Sequence, residues 1–303
     1  MARMDDWNPA DANEGAGVTA FAVRRAAPPG QPPPTPLVFA SPHSGRDYPQ
    51  DMMAAAALDG TAIRRSEDAF VDELIGQAPE FGAALITARC ARAYIDVNRE
   101  PFELDPAMFA DELPKFAQAR TARVAAGLGA IPRIVSEGQE IYARKLTFAE
   151  ASGRIERVHR PYHAELAGLI EEAQAAHGVA ILVDWHSMPA AAARGAGRDR
   201  PCDIVLGDRF GAACGQAFSA RVERELEGLG YRVTRNMPYA GGYTTEHYGR
   251  PARRVHALQI EINRALYLDE AKLTLTDGFT RLRDNLAGLT RRLAAFDWAK
   301  LVP

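Results

Sequence analysis

With 303 residues, 47% of them hydrophobic and 25% charged, the chain has the composition of a globular protein, long enough for one large α/β domain or two small ones. A formal net charge of −3 excludes the broad basic field on which nucleic-acid binding depends. No apolar segment reaches the roughly 20 residues a membrane helix needs, and the acidic, polar residues 1–17 lack the pattern of a secretory signal.

Residues 1–36, which include Pro28-Pro-Gly-Gln-Pro-Pro-Pro-Thr-Pro36, are predicted to form an irregular arm, and residues 37–303 a single α/β domain. The first strand starts at Leu37 and ends in Ser41-Pro-His-Ser-Gly45, where Pro42 and Gly45 enforce a sharp turn around His43. A short helix is expected over residues 51–58. A second takes Ser66 as N-cap, with Glu67 and Asp68 in its first turn and Phe70, Val71, Leu74 and Ile75 as its apolar stripe. Residues 84–87 and 93–97 read as strands, the latter leading into Asn98-Arg99, and residues 100–140 as an excursion rich in Pro, Gly and charge. Residues 140–151 and 154–177 carry helical periodicity, with Pro161 expected to kink the second and Gly178 to end it.

The β-branched run at 179–183 then reads as a buried strand. It delivers Asp184, Trp185, His186 and Ser187 to the carboxyl edge of a sheet, where open α/β folds keep their ligands. Residues 203–206 and 231–234 are further strands, on either side of a helix from about Phe210 to Gly228. The loop 236–249 combines glycines with Tyr243 and His247 and reads as a mobile lid. Leu258, Ile260 and Ile262 alternate along a strand that turns Glu261 to the opposite face and ends in Arg264. Phe279, Leu282, Leu286, Leu289 and Leu293 mark a final helix. Strands alternating with helices imply a three-layer α/β/α sandwich, and the short link from 84–87 to 93–97 implies a mixed sheet.

Three apolar runs thus end in His43, His186 and Glu261, and two histidines with a carboxylate are the components of a catalytic zinc site. Each also has a plain structural reading, as a hydrogen-bonded core histidine or a strand-end carboxylate paired with arginine. His159 and His163 stand four apart, but Arg160 follows His159 where a helical metalloprotease has glutamate, so both read as polar helix residues. No phosphate loop or dinucleotide fingerprint occurs, and an organic cofactor is not expected. The scattered Cys90, Cys202 and Cys214 form no Cys-x-x-Cys pair and read as reduced thiols of a cytoplasmic protein, with neither a disulfide nor a thiolate zinc site.

Taken together, Ser41-Pro-His-Ser-Gly45, Ser66-Glu-Asp-Ala-Phe-Val-Asp-Glu-Leu74, Asp96-Val-Asn-Arg99, Asp184-Trp-His-Ser-Met-Pro189, Pro238-Tyr-Ala-Gly-Gly-Tyr243 and Gln259-Ile-Glu-Ile-Asn-Arg264 resemble the N-formylglutamate amidohydrolase family over about residues 36–270. The resemblance implies a zinc-exopeptidase-like sandwich related in core to carboxypeptidase A. It also implies hydrolysis of N-formyl-L-glutamate to formate and glutamate, a histidine-degradation type of reaction. It makes His43 and His186 ligands of zinc or another divalent transition metal. In the peptidases a carboxylate ligand follows the first histidine by three residues, where this chain has Arg46. Asp68 is therefore the expected third ligand, with Glu67 in reserve. Glu261 matches the catalytic glutamate. Asn98, Arg99 and Arg264 are expected to bind substrate carboxylates, with Arg144 a further candidate and Tyr243 a lid contact. The expected partner is a small anionic N-acyl amino acid, with no role for nucleic acid or membrane. Another N-acylamino-acid deacylase, a carboxypeptidase-like hydrolase or a non-catalytic binding protein on the same fold are the alternative readings.

Overall fold

The computed structural model describes residues 19–28, 30–135, 138–196 and 201–298, so residues 1–18 and Pro29 of the expected arm lie outside the described residues. Seven strands form one sheet: β1 Phe21–Arg24, β2 Leu37–Ser41, β3 Ala84–Ala88, β4 Ala180–Met188, β5 Ile204–Gly207, β6 Val233–Arg235 and β7 Val255–Asn263. Their order is β1-β3-β2-β4-β7-β5-β6. β2 pairs in parallel with β3 and β4, β4 with β7, and β5 with β6, while β5 runs antiparallel to β7. The helices are α1 Gln50–Ala55, α2 Val71–Leu74, α3 Ala122–Ala125, α4 Phe148–Arg154, α5 Arg160–His177, α6 Ala190–Ala196, α7 Gln216–Gly228, α8 Tyr243–Tyr248 and α9 Gly278–Ala294. No helix among the described residues is long and apolar enough to cross a membrane.

The sheet is mixed, as expected, but for another reason than the one anticipated. Residues 93–97 are not a strand. The Asp96 carboxylate accepts the Asn98 backbone N–H at 2.9 Å, and Tyr94 N–H closes a turn on the Ala91 carbonyl. A local side-chain acceptor of this kind competes with the sheet ladder, and here it prevails over β-propensity. Instead β5 and β6, parallel to each other, run opposite to β2, β3, β4 and β7. β1 lies inside the stretch predicted to be irregular.

Packing divides the chain into two compact units. One comprises Val23–Pro42, Asp68–Thr87 and Leu166–Pro303 and carries nearly all of the sheet. On one sheet face, Phe39, Trp185, Ile260 and Ile262 join Phe218 of α7 and Leu286 of α9 in a common apolar core. On the other, Leu169 and Ala173 of α5 line a small cavity together with Val38 and Ala84. Helices therefore cover both faces, which is why β4 and β7 are buried along almost their whole length. Gly178 ends α5 with φ +70°, as its position in the sequence indicated.

The other unit comprises Met1–Ala22, His43–Glu67 and Ala88–Glu165. The predicted excursion at 100–140 has a core of its own, in which Phe102, Leu104, Met108, Phe109 and Ile131 are buried. Helix 140–151 starts later than expected. Residues 140 and 142 form β-bridges to Ile134 and Ala56, and the helix begins at Phe148 behind a Thr147/Glu150 capping box. A π-turn at Ile155–His159 immediately precedes Pro161, so the α-helix proper, α5, begins at Arg160. Ser66 caps nothing: its hydroxyl donates to the Ile63 carbonyl at the end of a 3-10 turn. α2 starts only after Phe70, whose φ of 63° breaks the chain direction. Asp68 therefore sits in the link before the helix rather than in its first turn. The helix expected from Phe210 begins at Gln216, because Arg209 and Phe210 both adopt positive φ.

Gly45 follows from a close backbone approach. A Cβ there would stand 2.1 Å from the Cys90 carbonyl oxygen and 2.8 Å from the Arg89 carbonyl carbon, beside the Asp47–Cys90 bridge. Gly45→Ala is expected to lower the unfolding free energy by roughly 1–3 kcal/mol or more, measured by urea denaturation; unchanged stability would mean that the turn has room to move.

Candidate active site

His43 lies two residues beyond the end of β2 and is almost fully buried. Its Nε2 is 2.7 Å from Asp96 Oδ1. The same carboxylate accepts Asn98 N–H and, at its other oxygen, Arg92 Nη2 at 2.7 Å, with Arg99 Nε at 3.9 Å. Burial pushes Asp96 toward protonation, but His43, Arg92 and Arg99 together outweigh it and hold the carboxyl well below its ordinary range. An ionised Asp96 only accepts, so His43 Nε2 donates.

The register of β4 on β7 sets Asp184 beside Gln259 and His186 beside Glu261. Strand alternation turns these four polar residues to one face, while Trp185, Ile260 and Ile262 fill the apolar core on the other. His186 Nε2 is 2.9 Å from Asp184 Oδ2, and its Nδ1 is 3.1 Å from Asp68 Oδ2. Burial disfavours a charged His186, but Asp184, Asp68 and Glu261 overcome it and raise its pKa well above the usual histidine value. Asp68 is held from its other side: Arg264 Nη2 donates to Oδ1 at 2.9 Å, and Arg264 Nε to Ser187 Oγ at 3.0 Å.

A ring nitrogen of His43, one of His186 and a carboxylate oxygen of Asp68 all lie within 4.8 Å of one another, and all three residues are buried. This donor set fits a divalent transition metal. Two imidazoles and one carboxylate match the ligands of catalytic zinc sites. Each ring also carries a carboxylate on its far nitrogen, Asp96 behind His43 and Asp184 behind His186, the arrangement that fixes a ligating tautomer. Glu67 is otherwise engaged, accepting from Arg64 Nε at 2.9 Å and Tyr48 hydroxyl at 2.7 Å.

Glu261 Oε1 accepts from Gln259 Nε2 at 2.8 Å. Asn98 is buried beside Asp96. Arg99 donates through Nε and Nη1 to the Leu128 and Asn98 carbonyls. Arg144 is exposed and pairs with Glu150 at 2.6 Å, on the wall of a cavity of about 730 Å³ shared with Arg120, Arg133 and Lys145. The loop at 236–249 is more ordered than a free lid. Tyr243 opens α8 and stacks on His247, and the Gly242 N–H before it donates to Gln259 Oε1 at 2.7 Å. His159 and His163 bond the Arg99 and Val97 carbonyls, consistent with polar helix residues. Asp96, Asp184 and Gln259 are brought to the site in addition to the residues expected there. The signal for two of them was present: Asp184-x-His186 and Gln259-x-Glu261 share strand parity.

The family model for N-formylglutamate amidohydrolase matches residues 35–268. The N-formylglutamate deformylase of Pseudomonas putida is 28% identical over 259 residues, which is 84% of this chain and 88% of that protein. The enzyme of the same name from Pseudomonas aeruginosa is 29% identical over 238 residues, or 78% and 83% of the two chains. The crystal structure of N-formylglutamate amidohydrolase from Ralstonia eutropha JMP134 has a TM-score of 0.84 at 40% identity, covering 92% of this chain and 98% of that one. The matched span contains His43, Asp68, His186, Glu261 and Arg264, and the chain belongs to the N-formylglutamate amidohydrolase family of hydrolases.

Proposed function

We propose that the protein hydrolyses N-formyl-L-glutamate to formate and L-glutamate at a metal held by His43, Asp68 and His186. The observation that carries this reading is the buried two-histidine, one-carboxylate group, with Glu261 in register beside His186. When bound, zinc supplies Lewis acidity, polarising the formyl carbonyl and acidifying water to a pKa of roughly 7. Glu261 takes the proton from the attacking water and returns it to the departing amine nitrogen. Asp96 and Asp184 keep the two imidazoles oriented. Arg264 serves the centre through Asp68 and Ser187 rather than by gripping substrate. Asn98, Arg99, Arg144 and Tyr243 remain proposed contacts to the anionic substrate. The carbonyl bonds of Arg99 orient its guanidinium, whose Nε also stands 3.9 Å from the Asp96 carboxylate.

The test is a panel of N-acyl amino acids incubated with metal-loaded protein, with amine release measured. N-formyl-L-glutamate is expected to be turned over fastest, and chelation to abolish turnover. A faster N-acetyl or non-acidic substrate would move the specificity elsewhere in the deacylase class, and full activity with no metal by elemental analysis would end the metal reading.

Glu261→Gln is expected to reduce turnover by about 10²–10⁴-fold, the usual contribution of a general base, with metal content retained. Loss of metal in that variant would make Glu261 a ligand.

Arg264→Lys keeps the charge but loses the fork that joins Asp68 to Ser187. Metal affinity should weaken by roughly 10–100-fold, as for other outer partners of ligands, while KM stays unchanged. A raised KM with metal affinity intact would return Arg264 to the substrate carboxylate.

A further inference from the structure

We infer that Gln259 is a positioning residue for Glu261, anchored by the Gly241–Gly242 turn, an inference that rests on the reading of Glu261 as the base. Gln259 and Glu261 are both buried and lie on the same face of β7. Gln259 Nε2 donates to Glu261 Oε1 at 2.8 Å, while its Oε1 accepts the Gly242 N–H at 2.7 Å and faces Thr245 Oγ1 at 3.4 Å. The amide has one possible orientation. A backbone N–H can only donate, so the oxygen must face Gly242 and the nitrogen must face Glu261.

The turn that anchors the oxygen is itself confined. Gly207 is the register partner of Gln259 on β5, and a Cβ at Gly207 would stand 2.8 Å from both Ala240 C and Gly241 N. The turn backbone thus lies directly on the end of β5, and Gly241 reaches this position with φ +122°. Gln259 is therefore braced between a fixed turn and the carboxylate. Its amide sets the plane of Glu261 on the strand position that faces His186. Displacing a reacting group by about 1 Å costs on the order of 10²-fold in rate, so such bracing has a catalytic consequence.

Gln259→Glu separates the two bonds. A carboxylate oxygen still accepts from Gly242, but the donor to Glu261 is replaced by a second acceptor. The expected result is a kcat lowered by roughly 10–100-fold with KM and metal content unchanged. Gln259→Glu/Glu261→Gln reverses donor and acceptor. It should recover the melting temperature lost in Gln259→Glu, while turnover remains at the level of Glu261→Gln alone. Wild-type kcat in Gln259→Glu overturns the inference. So does a rise in KM without change in kcat, or a double variant slower than Glu261→Gln by the same factor that Gln259→Glu imposes on the wild type. Wild-type turnover in Glu261→Gln defeats the base reading itself, a result distinct from any of these.

Discussion

The pairing of β4 with β7 is the constraint on which the centre depends. These strands run in parallel register from Ala180 opposite Val255 to Met188 opposite Asn263. Because side chains alternate, a register that buries Trp185, Ile260 and Ile262 also brings Asp184, His186, Gln259 and Glu261 together on the opposite face. A slip of one residue in either strand would exchange that strand's two faces, placing two of the four polar groups in the apolar core and removing the histidine from the glutamate. Stability and chemistry select the same register.

Burying so many ionisable groups is tolerable only because each has a partner of defined role. Asp96 stands between His43 and Arg92, Asp68 between His186 and Arg264, and Asp184 against His186. The arginines come from positions where a carboxylate needs compensation, and this explains why Arg264, adjacent in sequence to the end of β7, turns to Asp68. The same accounting separates neighbouring acids at the link before α2. Glu67 meets Arg64 and Tyr48, while Asp68 meets His186, so adjacent residues have different partners.

Gln259 extends this network from the strand to the turn before α8. Glycines serve close approach here: Gly242, within residues 236–249, presents an N–H to Gln259, and Gly207 at the end of β5 admits the turn against that strand. A segment that reads as a lid from its composition is in this way tied to the strand that carries Glu261.

By itself the sequence determined which residues reach the carboxyl ends of the strands and which way they face. Apolar runs ending in His43 and His186, and the alternation Leu258, Ile260, Ile262 around Glu261, were legible because strand period and chain direction are local properties. The last helix was legible for the same reason. Helix starts near Ser66, 140 and Phe210 were misplaced where a local hydrogen bond, a β-bridge or a positive φ interrupted the periodicity. Only the tertiary structure decided the partners. Asp96 reaches His43 across 53 residues, Asp68 reaches His186 across 118, and Arg264 reaches Asp68 across 196. Propensity and spacing carry no information over such separations. The partners of Glu67, Asp68 and Arg264 follow in the same way from which segments the tertiary fold sets side by side.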